Sequence, residues 1–184
     1  MKQDLWLLKL AGQDQAVAER VQELSRQVPR LDAWRAPQES LSYLYLPAQA
    51  EGDIPLPRAE GDDWRRLRCT LVIEGAAAAQ PVRCHYVVET DVLPECEDEF
   101  NAWYNEEHLP GLAAVPGTVY AARYVDTAGS PRYYACYGLT DASVMGSPAW
   151  LAVRGTAWSS RVRPTFRHTR RTMFEPFFPA SAAA

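Results

Sequence analysis

Residues 94–117 read PECEDEFNAWYNEEHLPGLAAVPG, and the fold turns on how this stretch is parsed. Pro94 and the acidic run Glu95, Glu97, Asp98 and Glu99 suit a helix start. Proline is tolerated in a first turn, and negative charge there meets the positive end of the helix dipole. Phe100, Trp103, Tyr104, Glu107 and His108 then recur at helical spacing and share one stripe. The spacing predicts a helix over 96–108, with an aromatic face and an imidazole and a carboxylate near its C-terminal end. Pro110 and Gly111 predict that it bends or stops there.

Working outward, 82–92 (VRCHYVVETDV) reads as a strand entering this helix. Strands over 118–125 and 132–139 follow it, joined by a turn at Asp126–Pro131. A second helix near 141–155 is broken or restarted at Ser147–Pro148, because proline disfavours a helix interior. A strand over 165–174 closes the unit. The order β-α-β-β-α-β is the ferredoxin-like arrangement.

The N-terminal residues trace a similar path. A strand over 4–10 leads to a helix over 14–27 whose buried stripe is Val17, Val21, Leu24 and Val28. Strands over 31–36 and 41–46 come next. Residues 47–66, rich in Pro, Gly and acids, predict a long surface loop with a helical turn around Asp62–Arg66, and 67–74 is a strand. Val28–Pro29 followed by Ala33–Trp34–Arg35 echoes Val115–Pro116 followed by Ala121–Ala122–Arg123. The expected architecture is α+β: two tandem ferredoxin-like (βαββαβ) halves, the first degenerate, forming a single-chain pseudo-dimeric α+β barrel. The halves span 1–75 and 82–177, with a linker at 76–81 and a flexible tail at 178–184. A four-stranded sheet with helices on one face leaves its other face bare, and the second sheet supplies the cover. Such a chain is a monomer in the form of a pseudo-dimer, or a homodimer through another surface.

The pattern FNAWYNEEHLPGLAAVPG, followed by a strand with Tyr120 and Arg123, resembles the EthD-like branch of the dimeric α+β barrel superfamily. The resemblance covers roughly residues 82–177. It places the family's His-x-Pro signature at His108–Leu109–Pro110. It implies a ferredoxin-like fold and cofactor-independent isomerase, cyclase or oxygenase-like proton transfer on a small hydrophobic substrate. Some members of the superfamily bind haem.

Composition narrows the partners. The chain has 184 residues, 47% hydrophobic and 23% charged, enough to bury a core without a disulfide or metal. A net charge of −4 argues against nucleic acid or an anionic membrane, leaving a small-molecule ligand as the expected partner. The density of Arg161, Arg163, Arg167, Arg170 and Arg171 keeps a local anion site open. Cys69, Cys84, Cys96 and Cys136 form no C-x-x-C pair and read as small core residues of a reducing compartment. The start is too short an apolar run for a signal peptide or a membrane span, so the cytoplasm is the expected location. No P-loop, dinucleotide fingerprint, G-x-S-x-G or H-E-x-x-H occurs, so neither a metal nor a cofactor is expected.

The candidate catalytic residue is His108, whose ordinary pKa near 6.5 suits proton transfer; the alternative is a helix-terminal histidine satisfied by a nearby acceptor. His85 lies about 7 strand residues from the β-α turn, roughly 23 Å, and His108 about 12 helical residues from it, roughly 18 Å, so both fall near one end of the layer. Alternation leaves open whether His85 or Tyr86 faces the helix. Candidate substrate-binding residues are Trp103, Tyr104, Glu107, His85, Tyr86, Arg123, Tyr134 and Trp150. The aromatic ones serve equally as core. Arg123 binds a substrate carboxylate or pairs with Glu106 or Glu107. His168, among arginines, is a candidate axial ligand for haem. Three functions follow: an enzyme using His108, a non-catalytic ligand-binding or accessory protein, or a scaffold whose pocket is filled by its own side chains.

Overall fold

A computed structural model describes residues 3–12, 14–28, 30–48, 59 and 62–177. Strands β1 (Leu5–Ala11), β2 (Asp32–Ala36), β3 (Leu41–Pro47) and β4 (Asp63–Glu74) come from the N-terminal part, with helix α1 (Asp14–Gln27) after β1. Strands β5 (Cys84–Val92), β6 (Thr118–Asp126), β7 (Tyr133–Leu139) and β8 (Phe166–Pro176) come from the remainder. All eight close into one antiparallel barrel in the order β1-β3-β2-β8-β5-β7-β6-β4. Closure leaves no open sheet edge.

The two seams joining the N-terminal strands to the C-terminal ones differ in length. β4 and β6 pair from Leu67↔Asp126 to Glu74↔Tyr120 with one register shift between Cys69 and Leu71, whereas β2 and β8 pair only at Trp34↔Pro176 and Arg35↔Glu175. The long seam corrects one expectation. Asp62–Arg66 is not a helical turn, because Asp63–Leu67 pair with β1 before the strand crosses to β6. Tertiary pairing overrides a locally polar, turn-like composition here. Most of the loop expected over 47–66, and the tail from 178, lie outside the described residues.

Period-two alternation sorts the side chains. Leu7, Trp34, Tyr43, Tyr45, Val87, Tyr134, Cys136 and Phe174 fill the barrel interior. Leu8, Leu44 and Leu46 point outward onto Val17, Val21 and Leu24 of α1. On the other flank Tyr86, Val88, Tyr133 and Tyr137 point outward beneath the C-terminal helices. No disulfide forms among the described residues; Cys136 is a buried core residue as expected, whereas Cys69, Cys84 and Cys96 are only half-buried. Among the described residues no helix is long and apolar enough to cross a membrane.

The helix after β5 departs from expectation in an informative way. α2 (Glu97–Trp103) passes into a π turn at Tyr104–His108, and α3 (Leu109–Ala113) continues it. The Leu109 N–H donates to the Tyr104 carbonyl, five residues back. Pro110 therefore does not end the helix. A proline in a regular helix clashes with the carbonyl four residues back, and widening the preceding turn relieves that. Gly111 lets α3 approach α4 (Pro148–Arg154), since a Cβ there would lie 2.8 Å from Val153 Cγ1. Ser147 caps α4 and Thr156 caps α5 (Ala157–Val162).

Candidate functional site

The π turn sets the site. Trp103 and His108 are five residues apart, which a regular α-helix would place at the two edges of the aromatic stripe, about 140° apart around the axis. The wider turn brings them together, with ring centroids 4.1 Å apart and planes 21° from parallel. Tyr104 meets the imidazole edge-on at 5.3 Å. Trp103 is itself held in place: its Nε1–H donates to Glu107 Oε1 at 3.2 Å. The Thr156 hydroxyl donates to the same oxygen at 2.6 Å, tying the cap of α5 to the π turn.

His108 is 7% exposed and its Nδ1 is buried without a hydrogen-bond partner. Burial, and secondarily the positive charges of Arg154 and Arg163, push its pKa down to about 3. The ring is a neutral imidazole at neutral pH. Burial also raises the neighbouring Tyr104 phenol to about 12, so that it too stays protonated.

Beside the imidazole lies a hollow of about 30 Å³, room for a water molecule. Its walls are Tyr86, Trp103, Tyr104, Tyr137, Trp150 and Phe166, and Arg154, Arg163 and Arg171 surround it. Tyr137 Oη and Trp150 Nε1 are buried without partners. Among the described residues no carboxylate pairs with Arg154, Arg163 or Arg171. The wall is thus aromatic, the electrostatic sign positive, and the imidazole Nδ1 unpartnered.

Trp103, Tyr104, His108, Tyr86 and Trp150 come together around this hollow. His85 does not join them. Tyr86 and Val88 face the helices, so His85 projects into the barrel, where Tyr45 and Tyr120 hold it. The expected pairing of the two histidines fails because they lie on opposite faces of one sheet. Tyr134 likewise points inward, beneath the ammonium of Lys9. Glu107 serves Trp103 and Thr156 rather than the imidazole. Arg123 makes no pair with Glu106 or Glu107. Its Nη1 and Nη2 donate to Asn105 Oδ1 (3.2 Å) and Asn101 Oδ1 (2.8 Å), and its guanidinium lies against the rings of Phe100, Tyr104 and Tyr133. Those rings and amides replace a carboxylate partner, and burial lowers its pKa. His168 is exposed and its Nδ1 lies 3.0 Å from Asp91 Oδ2, away from the hollow. Sequence spacing does not single out the arginines of the site, because they come from α4, the turn after α5 and β8. The only hint was the local density of arginine near the C-terminus.

No protein-family model matches the sequence, and no characterised protein matches it. Solved structures do match in three dimensions. A candidate monooxygenase from Lactobacillus acidophilus NCFM superposes with a TM-score of 0.70 at 9% identity, covering 97% of this chain and 95% of that one. An uncharacterised ferredoxin-fold protein from Listeria monocytogenes, related to antibiotic biosynthesis monooxygenases, gives 0.61 at 10% identity over 96% and 95%. A heme-degrading enzyme from Listeria monocytogenes gives 0.63 at 8% identity over 94% and 99%. Identities this low establish architecture, and the chain has the α+β ferredoxin-like barrel fold shared by these proteins.

Proposed function

We propose that the protein binds a small aromatic anion between its C-terminal helices and the outer face of the sheet, and that His108 takes a proton from it. The observation that carries this reading is a buried, unpartnered imidazole Nδ1 on a residue lining an aromatic hollow, together with three arginines that have no carboxylate partner among the described residues. An acidic group placed against Arg154 and Arg163 offsets their charge, the lesser cause beside burial of the depressed His108 pKa, so the ligand itself raises the basicity of the base. The stacked Trp103 excludes water, and the arginines hold the charge left on the deprotonated ligand. The imidazolium then returns the proton to a second atom of the same molecule, the balance required for an isomerisation or ring closure. Ring-sized ligands need the arginine side chains to swing aside, since the resting hollow holds only a water. A haem does not fit this hollow. The small resting volume favours one second reading, a site filled by its own side chains.

We read the chain as two tandem ferredoxin-like halves, 1–75 and 82–177, on the EthD-like pattern of His108–Leu109–Pro110. The strand order β4-β1-β3-β2 recurs as β8-β5-β7-β6, which supports this reading. So does the near-complete coverage of single-chain neighbours.

A titration with 2-hydroxybenzoate, followed by the imidazole NMR signals, tests the site. Binding that shifts His108, weakens in Arg154→Gln and Arg163→Gln, and accompanies proton exchange lost in His108→Ala supports the proposal. Binding without exchange leaves a ligand-binding protein. No binding by any aromatic carboxylate leaves the self-filled scaffold.

A further inference from the structure

The other face of the same sheet carries a separate constellation. His85 is 3% exposed inside the barrel, its ring tilted against Trp34 at 5.0 Å. Both of its nitrogens are engaged: Nε2 lies 3.1 Å from Tyr45 Oη and Nδ1 3.1 Å from Tyr120 Oη. Tyr120 reaches it because Gly138 opposite has no side chain; a Cβ there would sit 2.3 Å from Tyr120 Cε1. Burial holds this imidazole neutral as well, with a pKa near 3.

A neutral ring carries one N–H, so the hydrogens can be counted. One tyrosine donates to the bare nitrogen. The other accepts the ring N–H and is left with its own O–H to donate elsewhere. Tyr45, His85 and Tyr120 line a cavity of about 260 Å³ where β1 begins and β3 ends, together with Tyr124 and Cys136, and the Cys136 thiol is a further hydrogen-bond partner of Tyr45. Leu5 and Pro47 supply apolar wall, and at the mouth Arg30 and Asp32 are of opposite charge. The volume falls just below the roughly 300–1,000 Å³ of drug-sized sites, which suits a single ring. The opposed charges favour a ligand without net charge.

We propose that this end of the barrel is a second ligand site, for a small neutral hydroxylated aromatic ring, with Tyr45, His85 and Tyr120 reading its hydroxyl groups. The site is separated from the His108 hollow by the sheet itself and stands whether or not that hollow binds anything. The chain has 3 histidines, so side-chain NMR can follow each one.

The test is a titration of the full chain with catechol, with benzene as the apolar control. The expected result is movement of the His85 signals with His108 unmoved, and little response to benzene. Tyr45→Phe and Tyr120→Phe each weaken binding about tenfold, the usual consequence of removing one hydrogen-bonding partner from a buried polar site. Two single-atom deletions guard against misfolding of either one, checked by an unchanged melting curve. Absence of catechol binding at millimolar concentration, movement of His108 in place of His85, equal binding of benzene, or undiminished binding by both folded variants would each overturn the proposal.

Discussion

Lowering the pH from 7 to 5 should destabilise this protein more than its carboxylates alone explain. His85 and His108 are 3% and 7% exposed, and both are held neutral in the fold with pKa values near 3. Burial is the leading cause in each; Arg154 and Arg163 add to it at His108. The unfolded chain protonates both below about pH 6.5, whereas the native state does not. The unfolded state then binds more protons, so stability is complete above pH 6.5 and declines as the pH falls toward 3. Each pH unit within that window is worth about 1.4 kcal/mol per group, so 1.5 units give about 2 kcal/mol each and about 4 kcal/mol together. That is a large share of the roughly 5–15 kcal/mol that separates folded from unfolded domains. Urea unfolding at pH 7, 6 and 5 measures it, and His108→Gln should remove about half of the decline. Equal stability at pH 7 and 5, or imidazole signals titrating near 6.5 in the native protein, would refute the reasoning.

Phe100→Ala should cost about 3–5 kcal/mol in urea unfolding, because its fully buried ring packs against Tyr104, Tyr133 and Phe166. Thr156→Ala should cost about 1 kcal/mol through the lost cap of α5. It should also alter Trp103 fluorescence, since Glu107 loses one of the two groups it holds. Gly111→Ala should cost about 1–3 kcal/mol by forcing its Cβ onto Val153, and adding Val153→Ala should recover part of that loss. Additive losses in the double variant would count against a direct clash.

Much of the architecture was legible because the strongest signals are local. The Val17, Val21, Leu24 stripe and the aromatic stripe of 100–108 each specify a helix without reference to distant residues. The helical turn expected at Asp62–Arg66 fails because the strand identity of Asp63–Arg66 comes from β1, nearly sixty residues upstream, and not from its own polar composition. Pro110 predicts a bend or a stop because spacing rules assume a regular turn, and the chain answers with a wider one. Sequence spacing brings His85 and His108 to one end of the layer but leaves the face of His85 free, because a strand of period two has no fixed orientation until a partner surface sets it. The three arginines come from separate elements, and no spacing rule links them.

The unequal seams have a mechanical consequence. One junction is sewn along seven paired positions, from Leu67 to Glu74, and the other along two, helped by the Arg35–Glu175 ion pair and the Phe177 amide on Ala33. Pro176 has no amide hydrogen to contribute to that junction. A cylinder stitched so unevenly parts like a book along its lightly bound edge, with the long seam as its spine. Deuterium should therefore reach the β2 and β8 amides well before those of β4 and β6, and a transient exchange of flaps between two molecules would begin at the same edge.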